Sequence, residues 1–291
     1  MERLGYIIWD PIHKFNLWKN FFIHVYSLMF VISFLLGWYI MKYFYQNDNI
    51  NKKYLDHLFI FTFFGTFIGA RLGQALFYDF SYFSDHWIEI FLPIRRNQHN
   101  FLLGFIKGYE FIGFRGLSSH GATVGIILSS FFYCKTILKD KSFIWLCDRL
   151  CIPISISSVF IRIGNFFNSE IVGKPCSEKL PWGVKFVQMD TEYGEIVPRH
   201  PTQIYESISY LIIFLLLWYL YKIGKKNHNG FLSGIFFILL WSVRFFLEFL
   251  KEPQGKETIN FLSINTGQWL SIPFIIFGFL LLNVSKIKKY S

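Results

Sequence analysis

Long runs of apolar residues dominate this sequence and restrict what it can fold into. An α-helix needs roughly 20 predominantly apolar residues to cross about 30 Å of hydrocarbon. The runs are rich in Phe, Leu and Ile and lack the two-residue alternation of a membrane β-barrel. The sequence therefore predicts about seven transmembrane helices, at about 21–45, 57–79, 118–138, 143–166, 204–222, 230–250 and 265–284, of which the third and fourth are the least clean.

The composition agrees with a membrane protein. Hydrophobic residues make up 53% of the chain and charged residues only 16%, which does not suit a soluble surface. We find no internal repeat, heptad array or low-complexity linker. The predicted fold class is an all-α integral membrane protein, a single transmembrane domain over residues 1–291 with small extracytoplasmic elaborations.

Lysines in the short connections predict the orientation. Dense lysine clusters mark the cytoplasmic side, so the N-terminus is expected outside and the C-terminus in the cytoplasm. The longer connections, at about 80–117, 167–203 and 251–264, then lie outside, and we expect no signal cleavage. The net charge of +10 suits anionic lipid headgroups and does not require nucleic acid. The clusters comprise Lys42, Lys52, Lys53, Lys135, Lys139, Lys141, Lys222, Lys225, Lys226, Lys286, Lys288 and Lys289.

The second predicted span contains both glycines and a cation. Gly65, Gly69 and Gly73 are spaced by four, a ridge that lets a neighbouring helix approach closely. Arg71 and Gln74 form a polar stripe on the same helix. Ionisable groups in a membrane are costly, so Arg71 either extends to the interface or belongs to a site.

A histidine stands where an outer loop enters the third span, within Ser118–Ala122. Small residues beside His120 leave room for a substrate, and a histidine there can exchange a proton near neutral pH. The competing interpretation is a hydrogen-bonded structural histidine.

The segment from Arg162 to Gly173 carries the strongest local signal. Arg162, Asn165 and Ser169 fall near one helix face, and Gly164 permits close backbone approach. Guanidinium binds two phosphate oxygens at once and keeps its proton. The pattern predicts an anion-binding site at a membrane surface.

Two further polar clusters follow. The stretch 198–206 opens the fifth span, with Pro201 suited to a first helical turn. Arg244 and Glu248 stand four residues apart in the sixth span and can neutralise each other, so a structural ion pair is as well supported as a functional one. Gln268 in the last span is a weaker candidate.

Taken together, these motifs resemble one family, the prolipoprotein diacylglyceryl transferases of bacteria. The similarity runs nearly end to end in matching order, and the stretch from Arg162 to Gly173 is its most specific part. The matching elements are His24-Val25-Tyr26, Gly69 to Gly73, Ser119-His120-Gly121, Arg162 to Gly173, Arg199-His200-Pro201, Arg244 to Glu248 and Gly267-Gln268.

The resemblance implies transfer of the diacylglyceryl group of phosphatidylglycerol to the lipobox cysteine of a prolipoprotein signal peptide, in the bacterial cytoplasmic (inner) membrane with the site facing outward. The product is a thioether, and glycerol phosphate leaves. No cofactor, metal or nucleic acid is implied. The resemblance assigns His120, Arg162 and Arg244 to catalysis, and Arg162, Asn165, Glu170, Gly173, Tyr26, His24, Arg71, Asn168 and Glu248 to substrate binding.

Some positions depart from the family pattern. Ala70, Ala122 and Ile161 replace glycines, which are small steric changes. Leu240 replaces a tyrosine one turn before Arg244, so any role of that phenol is absent here or taken by another group.

The residue types suggest which side chains would deprotonate the thiol and which would stabilise the leaving phosphate. A thiol has a pKa of about 8.5, so a base with a pKa of about 6.5 would raise the thiolate fraction, and His120 is the candidate. Arg162 and Arg244 would stabilise the departing phosphate.

Three other classes of membrane protein would show different sequence patterns. A transporter or channel predicts inverted repeats or broken helices, which we do not find. Ser118 and His120 are too close in sequence to face each other as in a serine protease. A metal-dependent phospholipid transferase needs clustered aspartates, whereas Asp79 and Asp148 are isolated.

Overall fold

A computed structural model describes residues 5–12, 14–18, 21–92, 94–102, 106–111, 117–191, 194–253 and 264–287. Within this part of the chain, each predicted span overlaps one long helix. These helices are α1 Val25–Asn47, α2 Lys53–Phe77, α5 Ser119–Thr136, α6 Phe143–Phe167, α7 Thr202–Lys222, α8 Phe231–Leu247 and α9 Thr266–Ile287. Two short helices, α3 Phe80–Phe83 and α4 Ile88–Phe91, follow α2.

Six helices in the described residues are long and apolar enough to cross a membrane. They are α1, α2, α6, α7, α9 and α8 with its 3-10 extension Glu248–Leu250. A mostly helical membrane protein is thereby confirmed. Helix α5 coincides with the third predicted span but is not among the six, and its first turns carry Ser119, His120 and Thr123. The number of spans and their orientation stay predictions.

The chain divides into two compact units. The first comprises residues 1–52, 144–254 and 263–291, and the second comprises residues 53–143 and 255–262.

Short strands precede α1 and follow α6 in the first unit. Strand β1 Tyr6–Trp9 runs parallel to β6 Gly183–Phe186, which pairs antiparallel with β7 Pro198–Arg199. Strands β2 Lys14–Trp18 and β3 Phe21–His24 form an antiparallel pair that leads into α1.

A small apolar core attaches the three-stranded sheet to the end of α6. Val172, Val184 and Phe186 are buried together, and Trp9 and Phe166 pack against them. The Trp9 Nε1–H donates to the Phe166 carbonyl oxygen at 3.0 Å. The turn that leaves α6 is therefore held between the helix end and the sheet.

The start of α8 is fixed by a buried carboxylate. Asp148 accepts hydrogen bonds from the backbone N–H groups of Gly230 at 2.6 Å and Ser233 at 2.8 Å. Free N–H groups at a helix start need such acceptors, and an acidic residue also suits the positive end of the helix dipole. This contact ties α8 to α6, and α8 carries Arg244 near its other end.

The second unit is built on close packing of α2 against α5, as the glycine ridge predicted. A Cβ atom at Gly69 would lie 2.4 Å from the Gly121 carbonyl oxygen, and one at Gly73 would lie 2.5 Å from the Gly121 Cα. Only glycine permits this separation of the two helices. Strands β4 Ile94–Leu102 and β5 Ile106–Phe111 form a hairpin in the same unit.

Candidate active site

Glu206 lies at the centre of a buried cluster of charges in the first unit. Its carboxylate has no exposed surface, and three cations surround it. The Arg162 Nε lies 2.8 Å from Oε2, while the Lys251 Nζ lies 3.0 Å and the Arg244 Nη1 lies 3.7 Å from Oε1. Burial of a charge is tolerated when opposite charges compensate it, as they do here.

The cluster forms where several segments end near one another. Arg162 lies in α6 shortly before that helix ends, Glu206 lies near the start of α7, and Arg244 lies in the last turns of α8. Lys251 follows the 3-10 turn after α8, and its backbone forms a β-bridge with Gly173. The cluster therefore brings together residues far apart in sequence.

Two sides of the Arg162 guanidinium are held by the protein. Its Nε faces Glu206, and its Nη1–H donates to the Asn165 Oδ1 at 3.1 Å. In the part of the chain that the structure describes, the second Nη makes no hydrogen bond. This arrangement fixes the plane of the guanidinium and leaves a donor for an anionic ligand.

The turn that follows α6 is polar and strained. Glu170 accepts hydrogen bonds from the side-chain amides of Asn168 at 2.5 Å and Asn165 at 3.4 Å. Ser169 and Ile171 both have left-handed backbone conformations, with φ of 53° and 55°. That conformation is unfavourable for a β-branched residue such as Ile171 and is kept only where surrounding contacts enforce it.

Helix α7 supplies those contacts from its first turn. The Gln203 side-chain amide donates to the Glu170 carbonyl oxygen at 2.6 Å, and the Thr202 hydroxyl donates to the Ile171 carbonyl oxygen at 3.1 Å. Burial raises the pKa of Glu170, and hydrogen bonds from Asn168 and Asn165 and the charge of Arg162 oppose that rise.

Gly173 stands where two backbone segments almost touch. Its N–H donates to the His200 carbonyl oxygen at 3.1 Å, and a Cβ atom at this position would lie 2.3 Å from the same oxygen. The Arg199 Nη1–H donates to the Gly173 carbonyl oxygen at 3.1 Å and lies 2.9 Å from the Glu252 Oε1. The glycine is thus required by the close approach of the two segments.

Tyr26 joins the cluster from α1. Its side chain interacts with the Asn165 amide and with the charges of Arg162 and Glu170. A Cβ atom at Gly164 would lie 2.6 Å from the Tyr26 ring, so the glycine makes room for the phenol.

Glu248 contacts Lys251 and Asn265. Its Oε2 lies 3.3 Å from the Lys251 Nζ, and its Oε1 accepts from the Asn265 amide at 3.3 Å. Arg244, the expected partner, faces Glu206 on α7. The charged groups of α8 are therefore part of the wider cluster.

The remaining predicted site residues are His24 in the first unit and His120 and Arg71 in the second. His24 is exposed at the residue before α1. In the second unit, His120 lies in the first turn of α5 and is 2% exposed. Arg71 donates to the carbonyl oxygens of Glu89 at 2.6 Å and Ile90 at 3.1 Å, which holds α4 against α2.

Two members of the cluster were missed as site residues from sequence. Glu206 ends the stretch 198–206 that opens the fifth span, and the several cations predicted inside the membrane require a compensating anion of this kind. Lys251 carried no signal, because a lysine just beyond a predicted span reads as an ordinary interfacial residue.

Comparison with known proteins gives the family of this chain. A family model described as prolipoprotein diacylglyceryl transferase matches residues 13–284. Proteins named phosphatidylglycerol–prolipoprotein diacylglyceryl transferase are similar in Bacteroides fragilis (40% identity, covering 94% of this chain and 92% of the relative), Tolumonas auensis (38%, 92% and 93%) and Porphyromonas gingivalis (35%, 87% and 85%). The chain therefore belongs to the prolipoprotein diacylglyceryl transferase family.

Proposed function

We propose that this protein transfers the diacylglyceryl group of phosphatidylglycerol to the thiol of a lipobox cysteine in a prolipoprotein. A bond forms between the sulfur and a glycerol carbon, and the bond between that carbon and the phosphate oxygen breaks. Glycerol phosphate leaves, and the thiol proton passes to a base. Family membership and the apolar helices support this activity, and we assign the phosphate to the buried cations around Glu206.

The cluster offers cations to a phosphodiester. Arg162, Arg244 and Lys251 bring three positive charges around the Glu206 carboxylate, while Glu248 lies beside Lys251 and Glu170 interacts with Arg162. A phosphodiester carries one negative charge that these cations can stabilise. As the carbon–oxygen bond breaks, charge builds up on the phosphate, and each well-placed donor contributes about 3 kcal/mol to the transition state.

Arg162 and Arg244 are the proposed phosphate ligands. The hydrogen bond to Asn165 and the ion pair with Glu206 orient Arg162 before the lipid arrives, so binding requires little reorganisation. In this proposal Tyr26, Asn168, Glu170, Gly173 and Glu248 shape the surroundings of the headgroup, and His24 and Arg71 contact substrate elsewhere.

His120 is the proposed base for the thiol. An imidazole with a pKa of about 6.5 can accept the proton of a thiol with a pKa of about 8.5 when the two are within hydrogen-bond reach. The reaction as written needs neither a metal nor a cofactor.

We further propose that the seven long helices all cross the cytoplasmic membrane of a bacterium as one domain. The N-terminus would lie outside and the C-terminus in the cytoplasm, so that the Glu206 cluster opens outward. The lysine-rich short connections support this orientation.

A reconstituted assay tests the activity. Purified protein is incubated with phosphatidylglycerol and a lipobox peptide, and glycerol phosphate release and peptide mass are measured. We expect one glycerol phosphate for each thiol peptide that gains a diacylglyceryl group, and no reaction with a Cys→Ser peptide. Absence of lipidation of the thiol peptide would reject the proposed function.

A further inference from the structure

Of the three cations around Glu206, one lies at the carboxylate oxygen Oε2 and two lie at Oε1. Oε2 faces the Arg162 Nε at 2.8 Å. Oε1 accepts from the Lys251 Nζ at 3.0 Å and from the Tyr210 hydroxyl at 3.1 Å. The Arg244 Nη1 lies 3.7 Å from the same Oε1, beyond the range of about 2.7–3.2 Å for an N–H to oxygen hydrogen bond, and the Arg244 side chain is hydrogen-bonded to Tyr210.

We infer that Lys251 is a positioning residue that keeps Glu206 from forming a direct hydrogen bond with Arg244. By donating to Oε1 beside the Tyr210 hydroxyl, Lys251 competes with Arg244 for that oxygen, and the Arg244 guanidinium stays at a distance from which it can contact the substrate phosphate. This inference rests on the proposed function, because it assigns Arg244 to phosphate binding.

Lys251 acts through Glu206 and not on the lipid. Its side chain is 2% exposed, and its Nζ lies between Glu206 and Glu248, 3.3 Å from the latter. The backbone of Lys251 is bridged to Gly173, and the Lys174 N–H donates to the Leu250 carbonyl oxygen at 2.8 Å. The ammonium group is thus anchored by both its charges and its backbone.

Removal of the ammonium group would take the charged partner from Oε1 of a fully buried carboxylate and leave that oxygen with the Tyr210 hydroxyl. Arg244 needs to move only from 3.7 Å to about 2.9 Å, a shift of about 0.8 Å, to complete a charge-assisted hydrogen bond with Oε1. A buried carboxylate that has lost a charged partner favours that shift. The guanidinium would then be bound to Glu206 and withdrawn from the phosphate.

Substitution of Lys251 tests the inference by its effect on turnover. In Lys251→Met we expect kcat for glycerol phosphate release to fall by about tenfold or more. KM for phosphatidylglycerol should change by less than about threefold, because the additional phosphate charge that Arg244 stabilises develops only in the transition state. Lys251→Arg keeps a positive charge beside Oε1 and should keep kcat within about threefold of wild type. Lys174→Met, which replaces an exposed lysine nearby, is the matched control and should leave both parameters unchanged.

A double variant separates positioning from a general structural role. Glu206→Gln removes the carboxylate through which Lys251 would influence Arg244. Further substitution of Lys251 should then have little effect, so Glu206→Gln/Lys251→Met should turn over within about threefold of Glu206→Gln alone. This double variant also replaces Lys251→Met in the comparison if the single variant does not accumulate.

Three results would overturn the inference: Lys251→Met with wild-type kcat, Lys251→Arg as impaired as Lys251→Met, or a double variant tenfold or more below Glu206→Gln. Failure of the proposed function is distinguishable, because the wild-type protein itself would then leave the thiol peptide unmodified.

Discussion

The Arg162 Nε lies 2.8 Å from the Glu206 Oε2, and the Glu206 side chain has no exposed surface. The pair joins the end of α6 to the start of α7, and it sets the direction in which the guanidinium presents its remaining donors. In the proposed function, this carboxylate orients the phosphate-binding arginine without itself contacting the lipid.

The first prediction concerns that carboxylate. Glu206→Gln removes a negative charge that all three cations share, so the cations repel one another and Arg162 loses its ion-pair partner. Breaking a buried ion pair costs about 3–5 kcal/mol, and we expect a lower Tm together with a large loss of turnover. The measurements are thermal unfolding in detergent and glycerol phosphate release.

Glu178→Gln is the control for this variant, because Glu178 is exposed. It should match wild type in both assays. A Glu206→Gln protein with wild-type Tm and turnover would show that the buried charge is dispensable.

The second prediction concerns the contact between Gly173 and His200. In Gly173→Ala the new methyl group would lie 2.3 Å from the His200 carbonyl oxygen, so the two segments must separate. Such overpacking costs about 1–3 kcal/mol and would also displace Lys251, which is bridged to Gly173. We expect a lower Tm and reduced lipid transfer.

Gly37→Ala is the matched substitution at a helical glycine with room for a side chain, where a Cβ atom would lie 3.8 Å from its nearest neighbour. It should leave transfer unchanged. Equal activity of the two alanine variants would contradict the role given to the close approach at Gly173.

Much of the fold was predictable because it depends on local patterns. Apolar runs located the helices, and the four-residue spacing of Gly65, Gly69 and Gly73 predicted the close packing of α2. The contact between Arg162 and Asn165 likewise follows from their separation on one helix face. Each of these relationships lies within a single helix or on one of its faces.

The remaining features depend on contacts between distant parts of the chain. Glu206 and Lys251 meet Arg162 only after three segments have packed, and no spacing rule connects them. The left-handed conformations of Ser169 and Ile171 were not predictable either, because neither residue is a glycine and the turn is enforced by α7. The pairing of β1 with β6 is similarly long-range.

The third prediction concerns the pH dependence of stability. The pKa of Glu170 is raised in the folded protein, so between the unfolded-state value of about 4.5 and the folded-state value the folded protein binds more protons than the unfolded chain. The stability that this group contributes is present below that window and is lost as the pH rises through it.

Glu170→Gln removes this titration. The Tm of wild type relative to Glu170→Gln should therefore decrease as the pH rises from about 4.5 toward neutrality. A difference in Tm that stays constant with pH, or that grows in favour of wild type, would contradict the raised pKa.

In the proposed mechanism, the oriented guanidinium of Arg162 stabilises the departing phosphate. The most direct test is the turnover of Arg162→Lys with phosphatidylglycerol and a lipobox peptide. Lysine keeps the charge but cannot contact Glu206, Asn165 and a phosphate from one rigid plane. We predict that the variant accumulates in the membrane and that its kcat falls by about 100-fold or more. Turnover within about threefold of wild type would contradict the account.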